Sequence, residues 1–213
     1  IRDSAQDAVS RMSLRLRAIV CPRALLMTTS PLPASHPVSA HYDRGTIVFH
    51  WLTAFLVVGL FALAETWSFL PRGTPTRRLL QSLHISFGLA FAAVFVLRVI
   101  WRLCLGRRLP PASSGWLRVA STGVHGLLYL LMAVQIALGF LFRWAQGEPF
   151  AFFGLFNVPT LIAIDHEQRQ FIGGLHDTVA WTIIILALLH ALAALFHHYV
   201  LRDGVLRRML ASR

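Results

Sequence analysis

The sequence predicts an all-α membrane protein, a bundle of four transmembrane helices, on three observations. Its 213 residues are 56% apolar, with a mean hydropathy of +0.61. Only 14% of them are charged, against roughly 25% in an ordinary soluble domain. The charges that remain fence off four uncharged stretches, each near the roughly 20 helical residues that cross a hydrocarbon core.

The first stretch, between Arg44 and Glu65, holds 20 residues and predicts a span over 45–64. The second, between Arg78 and Arg98, holds 19 and predicts 79–97. The third runs from Arg118 to Arg143 with 24 residues and predicts 119–142. The fourth, between Asp177 and Arg202, also holds 24 and predicts 177–201. The stretch from Pro149 to Ile164 is apolar too, but it is short and broken by Pro149, Gly154 and Pro159. It reads as an interfacial loop lying on the membrane surface, not a fifth span. The domain is therefore expected over 41–208, with a short tail at 209–213.

Residues 1–40 fit this scheme poorly. Ile1 is not a usual start, and Arg11–Leu26 is too broken by arginine for a signal-peptide core. The segment reads as a disordered extension or a gene-start artefact, or alternatively as an amphipathic surface helix.

The formal charge of +11 invites a nucleic-acid reading, but its distribution argues for topology instead. Fifteen arginines fall in the N-terminal segment, in the connection between spans two and three, and at the C-terminus. Five fall on the other side: Arg72, Arg77, Arg78, Arg143 and Arg169. By the positive-inside rule both termini face the cytoplasm. The two cysteines, Cys21 and Cys104, belong to no CxxC or CxxCH pattern, so c-type haem, iron–sulfur ligation and a disulfide framework are not expected.

Seven of the ten histidines lie at or inside the spans. An imidazole in lipid is costly and marks a functional candidate. His176 and His190 are fourteen residues apart in the fourth stretch, nearly four helical turns, so they share a face about 21 Å apart along the axis. His50 lies fifteen residues inward of Glu65, about 22 Å, and His190 thirteen past Asp177, about 20 Å, which puts both at one level near the cytoplasm. His84, six residues after Arg78, shares the outer level with His176. Two opposed neutral imidazoles at one level suit six-coordinate haem iron, and two such levels suit two haems. Gly88, one turn after His84, would give a porphyrin face room, or would serve helix packing. His125 has no evident opposite, and His36, His41 and His166 lie outside the spans. His197 repeats the His190 face two turns on, near the cytoplasmic surface, followed by His198 and Tyr199.

Five segments resemble the bacterial cytochrome b561 family. They are YDRGTIVFHWL at Tyr42–Leu52, LHISFG at Leu83–Gly88, HGLLYL at His125–Leu130, LHDTVA at Leu175–Ala180 and LHALAALFHHY at Leu189–Tyr199. The resemblance covers about His41 to Arg208, with the spans in the family's order. It implies a di-haem b protein of the bacterial inner membrane, with ligands at His50 and His190 and at His84 and His176. It also implies a quinone partner and, for some members, oxidation of superoxide to oxygen with reduction of ubiquinone. A residue matching His197 then serves the quinone site.

The expected function is electron transfer from an outer donor, superoxide or a redox protein, to ubiquinone. Cytoplasmic protons would arrive through His197, His198 or Tyr199, and Arg72, Arg77 and Arg78 would steer an anion to the outer level. If the chain is an enzyme, it is an oxidoreductase. The alternative is a haem b anchor subunit relaying electrons between a partner dehydrogenase and quinone. A haem-free transporter that uses its histidines for protons or metal is a further rival.

Overall fold

Every residue of the computed structural model from 41 to 210 is described except 108, 111–114, 148 and 149. Four helices long and apolar enough to cross a membrane carry the fold. They are α1 (Arg44–Ser68), α2 (Pro75–Cys104), α3 (Gly115–Gln146) and α4 (Arg169–Phe196), the last continued by a π-helical turn over His197–Leu201. Each is longer than its uncharged stretch because arginines and capping residues extend the helices beyond the apolar part. The readings of residues 1–40, including Cys21 and His36, fall outside the described residues.

Local chemistry explains the ends. Asp43 caps α1, its carboxylate accepting the Thr46 N–H. Thr74 caps α2, and Pro75 follows in the first turn, where its missing N–H costs nothing. Gly147, at φ +68, follows the last turn of α3 in the left-handed conformation that ends helices. Within the spans, hydroxyls of Thr53, Thr66, Thr178 and Thr182 donate to the carbonyl four residues back, so none is left unsatisfied in lipid.

The helices alternate in direction. One end of the bundle gathers the start of α1, the end of α2, the start of α3 and the end of α4, and is called here the terminal end. The opposite end carries a β-hairpin, β1 (Phe150–Phe152) with β2 (Phe156–Val158), antiparallel with Phe152 facing Phe156. Phe153 and Gly154 both have positive φ in its turn, the conformation that matches strand twist. This hairpin is part of the segment expected as an interfacial loop. Ser86 of α2, 1% exposed, holds it: its hydroxyl donates to the Ala151 carbonyl and accepts the Phe153 N–H.

α1 packs along α2 and α3 along α4, while contact between the two pairs is sparse. The pairs meet in a buried cluster of Leu56, Phe91, Phe95, Met132 and Ile183, with residues from all four helices. Ile183 lies seven residues from both His176 and His190, so this cluster sits between the two histidine levels. Large apolar side chains such as Phe55 (74% exposed) and Ile185 (54%) face outward, as expected where the surroundings are lipid.

A polar clamp closes the terminal end. The Asp43 carboxylate also accepts the Trp101 indole N–H at 2.8 Å and the Arg107 N–H at 2.9 Å, joining the start of α1 to the end of α2. Gly45 is required here, since a Cβ would come within 2.2 Å of the Trp101 ring. The C-terminal segment folds back over α1, with Tyr42 N–H donating to Arg208 O and Trp51 Nε1–H to Met209 O.

Candidate functional site

The four candidate ligands come from three helices and bridge the sparse seam between the helix pairs. At the terminal end the rings of His50 (α1) and His190 (α4) have centroids 6.4 Å apart. At the hairpin end His84 (α2) and His176 (α4) are also 6.4 Å apart. Two metal–nitrogen bonds of about 2 Å and two imidazole radii of roughly 1.2 Å give about the same separation for rings flanking one ion. Both pairs therefore have a spacing at which two imidazoles would hold one iron between them.

The hairpin-end pair borders a cavity of about 620 Å³, within the size range of cofactor sites. Gly88 lines it, and nothing lies within 4 Å of where its Cβ would be, so the space expected beside this residue is present. Across it, a Cβ on Gly139 would come within 3.4 Å of the His176 ring. His84 Nδ1–H donates to the Leu60 carbonyl at 3.0 Å, which fixes the ring and leaves Nε2 with a lone pair. Gln135 Nε2 lies 3.2 Å from His176 Nε2, while Gln135 Oε1 and His176 Nδ1 are buried without a partner. Orphaned polar atoms in an apolar cavity mark a place where a ligand completes the structure. Among the described residues no three His, Cys, Asp or Glu side chains converge on one point. Each histidine pair would supply two nitrogens to the iron of a macrocycle. The residues fit a haem.

The terminal-end level holds more than its pair. His125, which had no evident opposite in the sequence, lies with its ring 5.1 Å from His190, its Nδ1–H donating to the Ser121 carbonyl. Arg98 joins this level: Nε–H donates to the Tyr129 hydroxyl at 3.0 Å, and Nη2 lies 3.4 Å from His50 Nδ1. The sequence reading used Arg98 only as a charge boundary and Tyr129 only as part of HGLLYL, and it gave Gln135 no role.

His197 opens the π-helical turn, a distortion often found at functional positions. Its Nδ1–H donates to the Asp203 carboxylate, which also accepts the Val205 N–H. Burial pushes the Asp203 carboxyl up, but these hydrogen bonds outweigh it and hold it below the usual carboxylate range. His198 and Tyr199 contact one another, and Tyr199, 69% exposed, points away from the bundle. The structure does not bring Tyr199 to His197's carboxylate partner. Asp203 escaped the sequence reading because it lies past the charge boundary at Arg202.

The three arginines expected to steer an anion separate. Arg72 is exposed in the loop. Arg77 donates to the carbonyls of Trp67 and Leu70 and so ties down the end of α1. Arg78 instead lines a side pocket of about 300 Å³ beside the cavity, together with Gln81, Ser82 and Arg143. The main cavity carries Glu65 and Asp177 as well as Arg143 and Arg169, so its charges balance. Among the described residues the side pocket is lined by two arginines, Arg78 and Arg143, and by no acid.

The family model described as prokaryotic cytochrome b561 matches residues 41–212. The chain is similar to "Cytochrome b561 homolog 2" of Escherichia coli (strain K12), 36% identical over 172 residues, covering 80% of this chain and 92% of that protein. It is 31% identical over 176 residues to "Cytochrome b562" of Cereibacter sphaeroides, covering 81% and 96%. It is 28% identical over 174 residues to "Probable superoxide oxidase CybB" of Yersinia pestis, covering 81% and 97%.

Proposed function

The chain belongs to the prokaryotic cytochrome b561 family of haem b membrane proteins, and we propose on that premise that it holds two haems and oxidises superoxide while reducing ubiquinone. The observation that carries the two-haem reading is the pair of 6.4 Å separations, His50 with His190 and His84 with His176, across the seam between helix pairs. Superoxide as donor is supported by the relative bearing that activity in its name and by the exposed Arg78 at the side pocket beside the cavity. Two superoxide anions each lose one electron to become dioxygen. One quinone takes up those two electrons and two protons to become the quinol.

Haem b, when bound, supplies reversible one-electron carriage, and the protein supplies position, charge and protons. Arg78 and Arg143 raise the local concentration of a small anion at the hairpin end, an effect that salt weakens. His197, oriented by Asp203, holds a proton at its imidazole for the quinone oxygen at the terminal end. In this reading the terminal end faces the cytoplasm of a bacterial inner membrane, as the bias of fifteen arginines to that side requires.

Rapid mixing of the purified holoprotein with superoxide, with and without a soluble ubiquinone, tests the activity. Quinone-dependent consumption of superoxide is expected. Its absence, with stable co-purification of a dehydrogenase, would replace this reading with the anchor-subunit one. The haem assignment is tested separately: His84→Ala should lower extracted haem from two per chain to one, and retention of two would overturn the pairing.

A further inference from the structure

The second nitrogens of the candidate ligands meet opposite electrical surroundings at the two levels. At the hairpin end His84 Nδ1–H donates to the Leu60 carbonyl, and the negative end of that dipole faces the ring. At the terminal end the Arg98 guanidinium reaches within 3.4 Å of His50 Nδ1, and its Nε–H is fixed to the Tyr129 hydroxyl. The guanidinium also lies over the Tyr129 ring, 5.1 Å from its centroid. Among the described residues no carboxylate lies within ion-pair distance of Arg98. A full positive charge is therefore held on α2 against neutral partners beside the terminal-end pair, whereas the arginines lining the hairpin-end cavity, Arg143 and Arg169, share it with Glu65 and Asp177. Such a charge is costly in lipid and marks a functional device.

We propose that Arg98 sets the polarity of the protein by giving the terminal-end level the higher reduction potential. The inference rests on the reading that each level holds a haem. A fixed cation favours the form of a nearby centre that carries one more electron, and low dielectric strengthens the effect. A carbonyl that accepts the ligand's Nδ1–H makes the imidazole a stronger donor and favours the oxidised form. Both terms act in the same sense. Electrons are drawn from the hairpin end toward the terminal end, where Arg98 acts through space as a fixed charge beside the His50 and His190 level. Tyr129 keeps the guanidinium from swinging out to the interface, as long cationic side chains near helix ends otherwise do.

Potentiometric titration of the holoprotein, followed in the visible spectrum, tests this without any measurement of turnover. The parent should show two components. The one left in His50→Ala should be the lower, and the one left in His84→Ala the higher. Arg98→Gln should shift the higher midpoint down and leave the lower in place, with haem still at two per chain, and Arg98→Lys should restore most of the shift. If Arg98→Gln fails to hold both haems, the order of midpoints in the two histidine variants still decides. A higher midpoint surviving in His50→Ala, or an unmoved pair of midpoints in Arg98→Gln at full haem content, would overturn the proposal. A parent protein with fewer than two haems would instead overturn the reading beneath it.

Discussion

Replacing Asp43 by Asn should loosen the terminal end by about 2 kcal/mol at neutral pH, and the loss should vanish in acid. Each carboxylate oxygen accepts two hydrogen bonds. Oδ1 takes the Thr46 N–H at 2.9 Å and the Trp101 indole at 2.8 Å; Oδ2 takes the Thr46 hydroxyl at 2.7 Å and the Arg107 N–H at 2.9 Å. Burial alone pushes this carboxyl up, but the four donors outweigh it and hold it at about 2, against an ordinary 3.8. Asparagine remains a good cap, so the helix start survives. Its amide nitrogen, however, must face two of those donors. The Thr46 hydroxyl can rotate to accept, whereas the Trp101 or Arg107 N–H cannot. One hydrogen bond to a charged group is worth about 1.5–3 kcal/mol, and partial solvent exposure keeps the estimate near 2.

The folded value lies below the unfolded one, so the carboxylate's contribution is complete above about pH 4 and is lost as pH falls through about 2. The assay is apparent thermal unfolding in detergent at one fixed scan rate, followed by far-ultraviolet circular dichroism, for parent and variant from pH 6 to pH 2. At pH 6 the variant should melt roughly 4–8 °C lower. The difference should shrink through the window between 4 and 2. Equal melting at pH 6, or a gap that persists unchanged at pH 2, would refute the clamp as described.

The arginines should divide by function. Arg78→Gln and Arg143→Gln should each lower superoxide consumption at low salt and flatten its salt dependence, while Arg77→Gln should lower the melting temperature and leave the salt dependence as in the parent. His197→Ala should keep both haem bands and slow reoxidation of the reduced protein by quinone. Asp203→Asn should slow it less, because the ring stays but loses its orienting acceptor; unchanged kinetics in both would reassign this turn to a structural role. Ser86→Ala removes the acceptor of the Phe153 N–H, a loss of about 0.5–1.5 kcal/mol. Amide exchange across Phe150–Val158 should rise without change in the helices, and an unaltered hairpin would show that Ser86 does not hold it.

Much of this architecture is legible in the sequence, for one physical reason. Lipid offers no hydrogen bonds, so each crossing must be one continuous apolar helix bounded by charge, and depth can be counted at 1.5 Å per residue. That constraint gave the four helices, and it assigned His50 and His190 to one level and His84 and His176 to the other. The tertiary structure decided everything that depends on direction around a helix or on contact between distant segments. It set Arg98 against His50, 48 residues away, and Trp101 against Asp43, 58 away. It turned Arg77 to the carbonyls of α1 and left Arg78 facing the side pocket, although the two are neighbours in the chain. It put His125 against His190 and closed His197 onto Asp203 beyond the apolar boundary. Periodicity and charge boundaries report burial and depth, which each segment carries alone. Which polar groups meet is fixed only when the helix pairs dock, because the free energy that selects those contacts belongs to both partners at once.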